Sequence, residues 1–219
     1  MSILNLFAIP IYREPPIIST YDTIQLEIDT CLNTIKKTKD YAEVSHIYKP
    51  AIKEKSKFTH IITDDLIGKF KLLNLEAKIY EAVNNYSKAI NPFIAEECGT
   101  WKIRNSWMNI AVENSHHDYH NHPGYTIAGT YYFRVSELQG GINFNNPNLM
   151  MYSHQFPASA SSPGSINITP TDGEVILFPA WLQHSTDANM STTEERISIS
   201  FNLDYELNHN KTDKNTVYM

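Results

Sequence analysis

Cysteine is nearly absent from this chain. Cys31 and Cys98 are the only two among 219 residues, too few for the stapled framework of a small secreted domain, and they fit a reducing, cytoplasmic compartment. Long hydrophobic runs are missing as well, since no stretch approaches the roughly 18 apolar residues of a membrane span. The N-terminus, MSILNLFAIPIYREPPI, has no basic segment and meets Arg13, Glu14 and two prolines early, so it does not read as a secretory signal. Positive charge is scarce. Eighteen Lys and Arg stand against 24 Asp and Glu, a formal net charge of −6 with a pI near 5.8. Between Asn105 and Asn210 the only cations are Arg134 and Arg196. That balance excludes a protein that holds nucleic acid through bulk positive charge.

What is present suits a folded domain. Hydrophobic residues make up 42% of the chain and charged residues 19%, too apolar for disorder and enough to build a real core. The length predicts one domain over 1–219. Residues 1–99 read as a mixed, helical elaboration, 100–205 as a β core and 206–219 as a tail. In the first part, residues 6–12 (LFAIPIY) form an extended run that Pro15 and Pro16 stop. The spacing of Ile24, Ile28 and Cys31 or Leu32 predicts a helix over Tyr21–Lys37. A clearer helix over Leu75–Ile90 is expected to be capped by Asn74 and stopped by Asn91-Pro92, and a short one to begin at Thr63-Asp64-Asp65 and end near Lys71.

From Thr100 the texture changes to short β-type runs between turn signals: 100–112, 126–135, 140–144, 174–178 and 196–203. Strands in series without helices between them predict an antiparallel barrel or sandwich. Residues 143–170 contain no Asp, Glu, Lys or Arg and read as a long irregular loop, a candidate lid over a site.

Three constellations carry chemistry. His116, Asp118, His120 and His122 alternate, so on an extended strand they share one face, and imidazole with carboxylate is the donor set of iron, zinc or copper. Alternation leaves open whether the pair is 116/118, 118/120 or 120/122. The second is EVILFPAWLQHSTD (174–187), where an apolar strand delivers His184 at a turn. The third is RISISFNL (196–203), with Ile197, Ile199, Phe201 and Leu203 on one face and Arg196, Ser198, Ser200 and Asn202 on the other. An Arg with a hydroxyl two residues on makes a fork for a carboxylate. Arg134 with Ser136 has the same spacing but sits at a strand end beside Glu137, where solvent is the expected surrounding.

HNHPGYTIAGTYYF, then ILFPAWLQH, then RISISFN resembles the Fe(II)- and 2-oxoglutarate-dependent dioxygenases. The likeness is closest to their prolyl-hydroxylase-like branch, and within it to a bacterial and phage family with HxHP, YY, FPxWLxH and RxSxSFN motifs. It covers roughly residues 100–205. The resemblance implies a double-stranded β-helix, a mainly β jelly-roll or cupin-like barrel with the N-terminal helices packed on one sheet. It implies Fe(II) held by His120, His122 and His184, with Asp118 as the alternative ligand, because His122 stands where the superfamily has a carboxylate. It also implies 2-oxoglutarate held by Arg196 and Ser198 with Tyr132 nearby, and hydroxylation of an unactivated C–H bond with release of succinate and CO2. The expected partner is a small-molecule or peptide substrate, with no membrane, and a homodimer is the expected form if the chain assembles. Two other classes compete: a cupin-like metal protein that does not use 2-oxoglutarate, and a non-catalytic jelly-roll binding or structural module.

Overall fold

Strict alternation in β9 explains the layering of the molecule. In a computed structural model, which describes residues 8–37, 60–62, 65–91, 99–147 and 164–208, the chain runs β1 (Tyr12–Glu14), α1 (Ile18–Lys37), β2 (His60–Ile62), α2 (Leu66–Phe70), α3 (Leu73–Ile90), β3 (Gly99–Ala111), β4 (Ile127–Arg134), β5 (Ile142–Asn145), β6 (Ser165–Ile168), β7 (Val175–Pro179), β8 (His184–Thr186) and β9 (Arg196–Leu207). Six strands pair antiparallel in the order β1-β7-β4-β9-β3-β2, and three more in the order β6-β5-β8. Ile197, Ile199, Phe201 and Leu203 of β9 join Met108 and Ile110 of β3 and Val175 and Leu177 of β7 in a core beneath the three helices. The opposite face of the large sheet, with Ala128, Tyr132, Ile176 and Phe178, packs against Ile142 and Phe144 of the small sheet. Two facing antiparallel sheets therefore enclose a barrel, with helices outside one of them, as the sequence led us to expect.

The helices form where apolar residues recur at three- and four-residue spacing. Ile24, Ile28, Cys31, Leu32 and Ile35 of α1 and Leu75, Ile79, Ala82, Val83 and Tyr86 of α3 are all buried in the same core. The cap of α3 differs from the expected one. The helix begins at Leu73, and Asn74 lies inside it. Its free amides are met instead by Glu27 of α1, whose carboxylate accepts from Asn74 N at 3.0 Å and Leu75 N at 3.2 Å. A carboxylate at a helix N-terminus is favoured by both hydrogen bonding and the helix dipole, and this one comes from 47 residues away.

Three boundaries also move. The N-terminal strand is Tyr12–Glu14, paired with β7, while Ile9 and Ile11 before it pack on the barrel interior. Residues 143–145 and 165–168, expected to belong to one irregular loop, are paired strands: Asn143 faces Asn167 and Asn145 faces Ser165. Ladder pairing stabilises Ser165–Ile168 although the segment is polar and mostly exposed. Residues 148–163 lie outside the described residues, and the lid expectation falls there, as do Cys98 and the tail beyond Asn208. Among the described residues no helix is long and apolar enough to cross a membrane.

Candidate metal centre and anion pocket

The segment after β3 turns through Asn114, which has a positive φ of 62°, and then runs alongside β8. His120 and His184 exchange both backbone hydrogen bonds at 2.9 Å, and His122 N donates to Ala180 O at 2.8 Å. This holds His120 and His122 against His184 at the barrel mouth. Their ring centroids lie 4.3 Å (120 to 184), 5.1 Å (122 to 184) and 5.3 Å (120 to 122) apart. One ring nitrogen from each lies within 4.8 Å of the other two, close enough for one ion to be held by all three.

Hydrogen bonds select which nitrogens these are. His120 Nδ1 lies 2.7 Å from Asp118 O and His184 Nδ1 lies 2.9 Å from Leu182 O. A carbonyl oxygen only accepts, so both Nδ1 atoms carry a proton, and in the neutral form of each ring Nε2 is the nitrogen left to bind a metal. His122 Nδ1 meets Asn202 Oδ1 at 2.5 Å, Asn202 Nδ2 donates to Asn105 Oδ1 at 2.9 Å, and Asn105 Nδ2 donates to Tyr125 OH at 3.1 Å. That amide relay gives His122 the same tautomer. Burial holds His122 below the ordinary imidazole pKa, and burial beside His120 pushes His184 down to about 3. A divalent transition metal binds an imidazole through a deprotonated nitrogen, and a hydrogen bond at Nδ1 leaves Nε2 for that role. The residues fit a metal ion.

Asp118 stands outside this group. Its carboxylate is 88% exposed and lies 3.3 Å from His116 Nε2, so it meets the site through its backbone carbonyl alone. The expected row of four on one face therefore fails at His116 and Asp118, and the backbone shows why. His117 pairs with Thr186, through a Thr186 N bond to His117 O at 3.0 Å and a His117 N bond to Thr186 Oγ1 at 2.9 Å. Residues 117 and 120 thus oppose 186 and 184, three steps against two. The extra residue is a β-bulge, which reverses the inside–outside alternation behind it. It turns Asp118 out and His117 in.

Arg196 lies deeper in the barrel. It is 5% exposed, and its Nη1 donates to Gln139 O at 2.5 Å and to Asp187 O at 3.2 Å. No carboxylate pairs with it among the described residues. A guanidinium buried without a counter-ion is costly, and burial lowers its pKa accordingly. The edge formed by Nε and Nη2 has no protein partner among the described residues, and it is the edge that matches a carboxylate. Ser198 and Tyr132, opposite each other across β9 and β4, are both buried beside it. Ser200 is held by Asn109 Nδ2 at 2.9 Å and Thr130 Oγ1 at 3.1 Å. Arg134, the competing cation, pairs with Asp29 at the surface.

Two buried side-chain atoms lack a hydrogen-bond partner among the described residues, Asn109 Oδ1 and His117 Nε2. Neither residue is marked by its sequence pattern. Asn109 sits two residues after Trp107 in an ordinary strand, and His117 is hidden by the bulge.

Comparison with known proteins agrees with this geometry. Residues 105–202, somewhat under half of the chain, match the profile of a family described as "Putative 2OG-Fe(II) oxygenase", and that segment holds His120, His122, His184 and Arg196. The family implies Fe(II) and 2-oxoglutarate as cofactors. No curated protein matches the sequence. Among solved structures, a Pseudomonas putida prolyl-4-hydroxylase is similar with 11% identity, TM-score 0.54, and coverage of 90% of this chain and 92% of that one. EctD from S. alaskensis, solved with 2-oxoglutarate and 5-hydroxyectoine, gives 12% identity, TM-score 0.60, and coverage of 90% and 72%. SnoK, a non-heme alpha ketoglutarate dependent carbocyclase from nogalamycin biosynthesis, gives 10% identity, TM-score 0.60, and coverage of 89% and 79%. The fold is the double-stranded β-helix of 2-oxoglutarate oxygenases.

Two outcomes follow from the local chemistry. Asn202→Leu removes the acceptor that orients His122, and metal affinity in a chelator competition should fall about 10–100-fold, whereas Asn202→Asp, which keeps an acceptor, should retain most of it. The metal-free protein should also lose stability as pH falls. His184 and His117, pushed down to about 3 and about 4, stay neutral in the fold but take up protons when unfolded below pH ~6.5. Unfolding then binds protons between those limits, so the urea midpoint should fall from pH 6.5 towards 4. The slope is at most about 1.4 kcal/mol per pH unit for each histidine.

Proposed function

We propose that this protein is an Fe(II)- and 2-oxoglutarate-dependent hydroxylase of the prolyl-hydroxylase-like branch, acting on a small-molecule or peptide substrate. The observation that carries the reading is Arg196, a buried cation with no paired carboxylate among the described residues, in the same barrel as three imidazoles each offering a ring nitrogen to one point. His120, His122 and His184 are the residues that would hold the iron. Bound there, Fe(II) supplies the oxidising chemistry by which O2 hydroxylates a C–H bond while 2-oxoglutarate is converted to succinate and CO2.

The chain's own residues do the rest. Arg196 binds the distal carboxylate of the diacid through its free fork, and the carbonyls of Gln139 and Asp187 keep the guanidinium from rotating. Ser198 and Tyr132 add hydroxyls on the same interior face. Burial raises the Tyr132 pKa, so its phenol stays protonated and can donate to an anion. Phe178, packed edge-on against His184 with ring centroids 4.6 Å apart, and Phe144, 5.0 Å from Phe178, keep water from that side. Tyr119 and Trp181, 50% and 54% exposed next to the triad in sequence, offer apolar rings to a substrate at the mouth.

The three-histidine donor set also favours a second reading, a cupin-like metal protein without 2-oxoglutarate, because it lacks the carboxylate usual in the superfamily. One experiment tests both. Anaerobic addition of Fe(II) and then 2-oxoglutarate should produce a visible charge-transfer band that saturates at one equivalent. Iron uptake with no band and no 2-oxoglutarate binding would favour the second reading.

A further inference from the structure

We infer that His117 belongs to the cosubstrate site, with its Nε2–H donating a hydrogen bond to the same distal carboxylate that Arg196 binds. This rests on the reading of the barrel as an Fe(II) and 2-oxoglutarate site and adds a recognition residue to it.

The starting point is an unmade hydrogen bond. His117 Nε2 is buried and has no partner among the described residues. A buried polar group left unpaired is destabilising, so the native state gains when a ligand completes it. The position of the ring says which ligand. It stands edge-on to His120 with centroids 5.9 Å apart, yet falls outside the group of nitrogens able to share one metal ion. Its backbone partner Thr186 is followed by Asp187, whose carbonyl accepts from Arg196 Nη1 at 3.2 Å. His117 thus adjoins both the metal-side histidines and the strand residue next to the one that holds the guanidinium, the two ends a bound diacid would join.

The ring is fixed there by its own backbone. Thr186 binds both His117 N and His117 O, two residues beyond His184, and the bulge at 117–120 aims the side chain inward. Its chemical state suits a carboxylate. An imidazole can present an N–H at Nε2, the atom left unpaired here. A carboxylate only accepts and selects the tautomer with that proton on Nε2. Arg196 then supplies the charge and His117 a directional contact from a different strand, so a ligand must present a carboxylate at the right distance from the metal to satisfy both.

The test uses Fe(II)-loaded protein under anaerobic conditions, with 2-oxoglutarate affinity read from the charge-transfer band and iron affinity read separately by chelator competition. His117→Leu should weaken 2-oxoglutarate binding about 10–100-fold, the range of one hydrogen bond to a charged group, with iron affinity unchanged. His117→Gln places an amide N–H near the position of Nε2 and should restore most of the affinity, which a merely space-filling role for the ring would not explain. Pyruvate, a 2-oxo acid without the distal carboxylate, should bind wild type and His117→Leu equally weakly. Unchanged 2-oxoglutarate affinity in His117→Leu, an equal loss for pyruvate, or loss of iron instead would each overturn the assignment. Should wild-type protein take up iron but not 2-oxoglutarate, the reading of the site fails, and the assignment with it. Should wild type bind 2-oxoglutarate and weaken on Arg196→Lys but not on His117→Leu, only the role of His117 fails.

Discussion

His120→Ala is expected to remove stoichiometric metal binding while leaving the barrel folded. In the proposed site three imidazoles would hold the ion without help from a carboxylate, so deleting one removes a third of the donor set. The loss should exceed the roughly 10–100-fold that follows from losing a supporting hydrogen bond. His120 and His184 make separable predictions because their surroundings differ. His120 sits at the rim, and its backbone pairing with His184 survives truncation. His184 is 5% exposed and packs on Phe178, so His184→Ala should lose the metal and in addition lower stability by about 1–3 kcal/mol. Metal content after dialysis, with a urea titration of each metal-free variant, checks both. Full metal occupancy in His120→Ala would remove the triad from the mechanism.

Arg196→Lys is expected to weaken 2-oxoglutarate binding by at least about 10–100-fold without changing iron affinity. Lysine keeps the charge but replaces a planar fork by a point, and it cannot keep the carbonyls of Gln139 and Asp187 while also reaching a carboxylate from two nitrogens. The loss should appear as a smaller ligand-induced rise in Tm, since a ligand that binds only the folded state stabilises it in proportion to ln(1 + [L]/Kd). Wild-type protein should gain several degrees in saturating 2-oxoglutarate with iron present, and the variant little. An unchanged Tm shift in Arg196→Lys would assign the anion pocket elsewhere.

The buried guanidinium is also a statement about the apo protein. Its burial with no paired carboxylate among the described residues costs stability, and in the proposed site a bound dianion would offset that cost, so part of the binding energy would relieve a cost already present. The same logic covers the metal. In the proposed complex the distal carboxylate would answer Arg196, and the other carboxylate would offset one of the two charges that three imidazoles leave on a divalent ion.

Much of this was legible from residue order alone. Alternation in 196–203 assigned one apolar and one polar face to β9, and both are buried because sheets or helices cover each side. Helical spacing located α1 and α3 to within a few residues. Alternation left the histidine pair open, and the motif resemblance pointed to His120, His122 and His184, which the fold gathers, and to Arg196. What pattern could not supply was register. A single extra residue between His117 and His120 exchanged Asp118 for His117 on the inner face, because alternation holds only while strands pair residue for residue. Nor could pattern supply partners from distant segments: Glu27 capping α3 and the Gln139 carbonyl orienting Arg196 are contacts that local sequence does not encode. The sequence by itself determined the chemistry available and the faces that carry it. Tertiary structure decided which nitrogens are free, which carboxylate is excluded and which cation lacks a partner, since those depend on distances between strands far apart in the chain.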